Sequence, residues 1–165
     1  KAALEAAGCT LKVVPALKGA DHSITNPDDT SKKWNTDPPT SGPHYAQTLV
    51  YGAYTEPIQQ ARALHNLEHG AVVIQYGSKV PQATRDQLEG FYDAHSTGTI
   101  LAPYPKLSDA IVLTAWNAPN PADPGTGVYA SCTSFDEAAF AAYLDAYQFK
   151  GPERFDPSSM APGNQ

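Results

Sequence analysis

The stretch His65-Asn66-Leu67-Glu68-His69-Gly70-Ala71-Val72-Val73-Ile74-Gln75-Tyr76 decides the architecture, because its hydrophobic period changes halfway along. Upstream of it, Ile58, Ala61, Leu64 (or His65) and Glu68 recur at helical spacing behind Pro57, a residue suited to a first helical position. Gln59 to Ala63 between them are good helix formers. Gly70 then reads as the left-handed residue that ends a helix. Ala71 to Tyr76 is a short β-rich run closed by Gly77, the pattern of a buried strand. A helix is thus predicted to hand over to a core strand within two residues.

Working outward, Pro81 to Ala94 reads as a helix with Leu88 and Phe91 inward, and Thr99–Pro103 and Ala110–Trp116 read as strands. Asn117 to Gly127 is a Pro/Gly/Asn loop. Ser134-Phe135-Asp136-Glu137 has the form of a capping box. It opens a helix through Tyr147 whose apolar side carries Phe135, Phe140, Tyr143, Leu144 and Tyr147. On the other side, Leu11–Val14 and Val50–Tyr54 are candidate short strands. Ala20 to Pro43 is rich in the Asp, Asn, Pro, Ser and Thr that hold turns, and Pro38-Pro39 forces extended backbone at Asp37 and Pro38. So long a stretch without elements is either disordered or functional. Because it ends in the stiff turn Ser41-Gly42-Pro43-His44-Tyr45, the functional reading is preferred. The expectation is a single α+β domain over residues 1–165, a sandwich of a mostly antiparallel sheet with helices on one face. It has a loop-rich segment at 1–43 and an extended tail at 151–165.

The composition narrows the function. Of 165 residues 17% are charged and the net charge is −6. The longest positive run is Lys32-Lys33 beside Trp34, so the clustered footprint that phosphate backbones need is missing and nucleic acid is not an expected partner. No stretch approaches the roughly 18 apolar residues of a membrane span. Since the chain opens on Lys1 and not Met, a targeting or anchoring segment is expected to have been removed. Cys9 and Cys132 could form a disulfide, remain buried thiols or ligate a metal. Neither lies in a CxxC pair or beside a His, and the disulfide, with its oxidising compartment, is the preferred reading.

Five histidines carry the chemistry: His22, His44, His65, His69 and His95. His65 and His69 stand four apart, which on a helix puts both imidazoles on one face at Cβ separations of about 5–6 Å, close enough to converge on one ion. His44, held in its Pro-stiffened turn, supplies a third ligand. Glu68 could hold a histidine N–H, act as general base beside a metal-bound water, or sit on the surface. Tyr45 is read as packing over the site, and Met160, the only Met, as apolar packing with a soft copper ligand as its second role. His22 beside Asp21 is a fourth ligand or nothing, and His95 is expected to be solvated.

The motifs Pro38-Pro39-Thr40-Ser41-Gly42-Pro43-His44-Tyr45, Gly52-Ala53-Tyr54, His65 through Tyr76, Ala115-Trp116 and Gly151-Pro152-Glu153-Arg154 resemble the bacterial domain-of-unknown-function family 3105. The likeness runs from about Cys9 to Arg154, and its motifs fall on His44, His65, Glu68 and His69. It implies an exported or membrane-anchored bacterial protein and brings no established activity. The segment after Pro157, with Met160, has no counterpart in the likeness.

Three functions follow. The first is a metal-binding protein of the cell envelope, holding copper in preference to zinc on His44, His65 and His69. The second is a zinc hydrolase with Glu68 as base. The third is a non-metallic envelope interaction module whose histidines pair with carboxylates in the core.

Overall fold

In chain order the elements are α1 (Ala2–Ala6), β1 (Thr10–Pro15), α2 (Gln60–Glu68), β2 (Val72–Tyr76), α3 (Gln82–Ala94), β3 (Thr99–Pro103), β4 (Ile111–Asn117), β5 (Thr126–Cys132) and α4 (Glu137–Tyr147). This computed structural model describes residues 1–18, 21–31, 34–121 and 123–165. Ala20, the expected start of the turn-rich segment, and the Lys32-Lys33 pair lie outside the described residues.

The five strands form one mixed sheet in the order β1-β5-β4-β2-β3. The β2–β3 pair is parallel, joined through α3 as a parallel connection requires, and the other three ladders are antiparallel. The class is therefore the expected α+β one. Both faces of the central strands are apolar, so both need a cover. Val72, Ile74, Leu101, Leu113, Ala115 and Val128 face a core filled by Leu4 of α1, Leu88 and Phe91 of α3, and Phe140, Tyr143 and Leu144 of α4. These three helices share one face, but the expectation of helices on one face alone is not met, because α2 covers the other. The alternate residues Val73, Ile100, Ala102 and Trp116 face the other way, onto Ala63, Leu64 and Leu67 of α2, the 49–58 segment and Met160. That second face positions the site.

The turn between α2 and β2 follows the sequence closely. Gly70 has φ +100°, and a Cβ there would come within 2.9 Å of the Phe149 backbone, so conformation and space both require glycine. The Cys9–Cys132 disulfide forms, one step beyond the Thr10↔Ser131 pair of the β1–β5 ladder.

Five expectations need correcting. β5 occupies sequence read as loop up to Gly127 and left unassigned beyond it; its pairing comes from two neighbours, β1 and β4, which local propensity cannot register. Val50–Tyr54 forms no strand and makes only a bridge between Ala53 and Leu101. The short helix α1 was not predicted, and its Leu4 is held by packing. The cap of α4 is Asp136, whose carboxylate accepts from Ala139 N–H at 2.8 Å, so the helix begins two residues later than a Ser134 cap would place it. The tail is not loose. Its end pairs with Tyr51 through Tyr51 N–H to Asn164 O (2.8 Å) and Gly163 N–H to Tyr51 O (2.9 Å), and Met160 is 1% exposed.

Candidate metal centre

The site grows from α2. Being nine residues long and packed on the sheet, this helix buries nearly all its side chains, including the polar Gln60, His65, Asn66 and Glu68. Buried polar groups must find partners, and those partners assemble the site. Asn66 accepts from Leu49 N–H (2.8 Å) and donates to Leu49 O (3.0 Å), tying the incoming segment to the helix. Tyr45 N–H donates to Ala61 O (3.1 Å) one turn earlier. Immediately before the Tyr45 tie the chain carries His44 to the helix.

His44 is 0% exposed. Its backbone N–H donates to Asp21 O (3.0 Å) and its carbonyl accepts from Ile24 N–H (3.3 Å), so the 21–24 segment lies alongside. This pairing brings in His22, whose ring centroid lies 5.0 Å from that of His44 and 4.7 Å from that of His65. His44 and His65 are 4.7 Å apart, and His65 and His69 4.5 Å.

The ring nitrogens divide cleanly. Nδ1 of His44 meets Gly42 O at 2.9 Å, and Nδ1 of His65 meets Tyr45 O at 3.0 Å. Since a carbonyl only accepts, both Nδ1 atoms carry a proton, and both Nε2 atoms turn inward. A backbone carbonyl behind a ligand imidazole is the arrangement that fixes its tautomer for a metal. Tyr45 contributes through its main chain. Inward of these nitrogens is Glu68, whose Oε2 lies 3.1 Å from His44 Nε2 and 3.9 Å from His65 Nε2. The His44 contact has a hydrogen bond's distance but not its direction, and among the described residues Nε2 is buried without a well-directed hydrogen-bond partner. The direction decides, because a bond aimed off-line weakens steeply.

Two sets of donor atoms result, each mutually within 4.8 Å: His22, His44, His65 and Glu68, and beside it His65, Glu68, His69 and Glu153. The predicted triplet of His44, His65 and His69 is thus divided, with His44 and His69 in different sets that share His65 and Glu68. Glu68 is 8% exposed, which removes the surface reading. Its carboxylate faces the histidine nitrogens, within donor distance of both sets. His22, the open case, joins the first set. His95 is half-buried, where solvation was expected. It stacks on Phe91 at 4.3 Å, away from the site, with its Nδ1 at 2.9 Å from Phe91 O.

Glu153, within the Gly151-Pro152-Glu153-Arg154 motif, is a donor that the histidine spacing does not reveal. It arrives because Phe149 N–H donates to Gly70 O (2.7 Å) and Glu153 N–H to Glu68 O (3.1 Å), capping the open end of α2 with the tail. Its carboxylate lies 3.8 Å from His69 Nε2, and the Phe155 ring packs tilted against the same imidazole, centroids 4.0 Å apart. A solvent-open cleft of about 400 Å³ borders this side, lined by His65, His69, Tyr51, Phe155 and Met160 among others.

The electrostatics match. Burial draws the His44 pKa down, but Glu68, the Gly42 carbonyl and Asp21 together outweigh it and the value ends above the ordinary one. His65 is lowered by burial and then by the charge of His44. Burial, with His65 next, pushes His69 down to about 4. Burial raises Glu68, yet His44, His65 and His69 overcome it and hold the carboxyl low. Among these groups a carboxyl held low faces two imidazoles, His65 and His69, that give up their protons readily, and His44, which holds its proton more firmly than usual. A proton there stands where a cation would serve the same carboxylate.

A family model described as "Protein of unknown function (DUF3105)" matches residues 26–159. The match takes in His44, His65, Glu68, His69 and Glu153 and starts later than the expected Cys9, so Cys9, His22 and Met160 fall outside it. No curated protein and no solved structure matches the chain.

Proposed function

The chain belongs to the DUF3105 family, whose description carries no activity, and we propose from its site that it is an extracytoplasmic bacterial metal-binding protein that holds copper in preference to zinc. The observation that carries this reading is the fully buried His44 Nε2, among the described residues without a well-directed hydrogen-bond partner and 3.1 Å from an equally inward carboxylate. A buried carboxylate facing buried imidazole nitrogens is costly unless a positive charge, a proton or a metal ion, lies between them. Imidazole and carboxylate donors without a thiolate suit Cu(II) or Zn(II), and for such donors copper binds the more tightly. The primary ion is assigned to His22, His44, His65 and Glu68. An extracytoplasmic setting is supported by the Cys9–Cys132 disulfide and by the family likeness. Among the described residues no helix is long and apolar enough to cross a membrane.

The test is elemental analysis and copper titration of protein prepared without a histidine tag. We expect at least one copper per chain, a Cu(II) EPR signal of nitrogen–oxygen coordination, and loss of both in His65→Ala. Bound copper should raise the melting temperature, by about 2.7 kcal/mol of stability at a hundredfold excess over Kd. Failure of the wild type to retain copper, or undiminished binding by His65→Ala, overturns the proposal. The competing reading treats His44 and Glu68 as a buried ion pair alone; it requires a melting temperature indifferent to added copper.

A further inference from the structure

We infer that the centre takes two metal ions side by side, bridged by the Glu68 carboxylate, with His22 and His44 on the inner ion and His69 and Glu153 on the outer one. The inference rests on the metal-binding reading above and extends it. Its basis is the pair of donor sets that overlap only at His65 and Glu68. Of these two, His65 has a single nitrogen to give, because its Nδ1 is spent on Tyr45 O at 3.0 Å, so it can serve one ion at a time. Glu68 has two carboxylate oxygens and can serve both, as carboxylates do in paired sites with ions about 3.5–4 Å apart.

The donor count agrees. Each ion keeps three protein donors of its own: His22, His44 and one Glu68 oxygen on the inner side, and His69, Glu153 and the other Glu68 oxygen on the outer side. His65 completes one of the two. Donors bound at about 2.1 Å around a tetrahedral ion are roughly 3.4 Å apart, so sets already within 4.8 Å need only small side-chain movements to close. The His69–Glu153 contact of 3.8 Å is of this kind. One of the outer ion's positions faces the cleft that His65, His69 and Met160 line, which leaves the pair open to a small ligand from solvent. The ion left without His65 has a further vacant coordination position.

The experiment is a zinc titration of the tag-free full chain against a competing chromogenic chelator, with bound metal counted by elemental analysis after gel filtration. Two zinc ions per chain are expected for the wild type. Glu153→Gln, at an exposed residue whose replacement leaves the core untouched, and His69→Ala should each retain one. Circular dichroism and the metal-free melting temperature establish that both variants fold. A wild type that saturates at one ion, or that binds no zinc while retaining copper, overturns the paired site and leaves the single-ion reading standing; a wild type that binds neither metal defeats both. Two ions retained by folded Glu153→Gln and His69→Ala also overturn the pairing.

Discussion

Asn66→Ala tests the device that brings His44 to the helix. Asn66 is fully buried and exchanges two hydrogen bonds with the main chain of Leu49, at 2.8 and 3.0 Å. Alanine leaves both the N–H and the C=O of Leu49 without partners in a region closed to water. Each unsatisfied buried group costs about 1–3 kcal/mol. Allowing for partial relaxation, the pair amounts to a loss of roughly 3–5 kcal/mol, much of the stability of a typical domain. The Tyr45–Ala61 bond and the Arg62 guanidinium on Thr48 O remain as ties, so the chain should fold with a displaced His44. Copper affinity is then expected to fall about tenfold, equivalent to about 1.4 kcal/mol. Urea unfolding in chelator gives the first quantity, and competition titration the second. Asn66→Asp sharpens the test. Its carboxylate still accepts from Leu49 N–H but opposes Leu49 O, so it should be severely destabilising at pH 7 and less so once acid lets the carboxyl donate. A loss below 1 kcal/mol for Asn66→Ala with unchanged copper binding would refute the reasoning.

Two further outcomes follow from the same geometry. His69 titrates at about 4 in the folded chain against an ordinary 6.5, through burial first and then the His65 charge. Between those values the unfolded chain binds a proton that the native chain does not. Stability of the metal-free protein should therefore fall as pH drops from 6.5, by about 3 kcal/mol at pH 4. Urea midpoints for His69→Gln should be the less sensitive to acid, and equal sensitivity would exclude His69 as the source. Replacing both Cys9 and Cys132 by Ala opens a loop with a sequence separation of 123 and should cost about 3–5 kcal/mol in chemical denaturation. A difference under 1 kcal/mol would mean that the unfolded chain is already constrained without the bond.

Local order was legible where one residue's chemistry settles one turn of chain. The run from Ile58 to Tyr76 states its helix, its glycine stop and its strand, and the i, i+4 spacing of His65 and His69 puts both rings on one side of α2. Strands β3 and β4 are equally plain as short continuous apolar runs, and helix α3 by the helical spacing of Leu88 and Phe91. None of that could say that α2 and α3 cover opposite faces of the sheet, since two amphipathic helices have the same pattern whichever side they pack on.

Tertiary structure decided the rest, and most of the site. Strand β5 exists because β1 and β4 lie on either side of it. His22 reaches the cluster through the backbone pairing of 21–24 with His44, and Glu153 through the tail that caps α2, about eighty residues along the chain from His69. Both approaches are set by hydrogen bonds between main-chain groups, which are common to every residue and leave no mark in side-chain identity. The sequence alone therefore determined which imidazoles a helix could pair; the division into two donor sets around Glu68 depended on how distant segments satisfied the backbone of that helix.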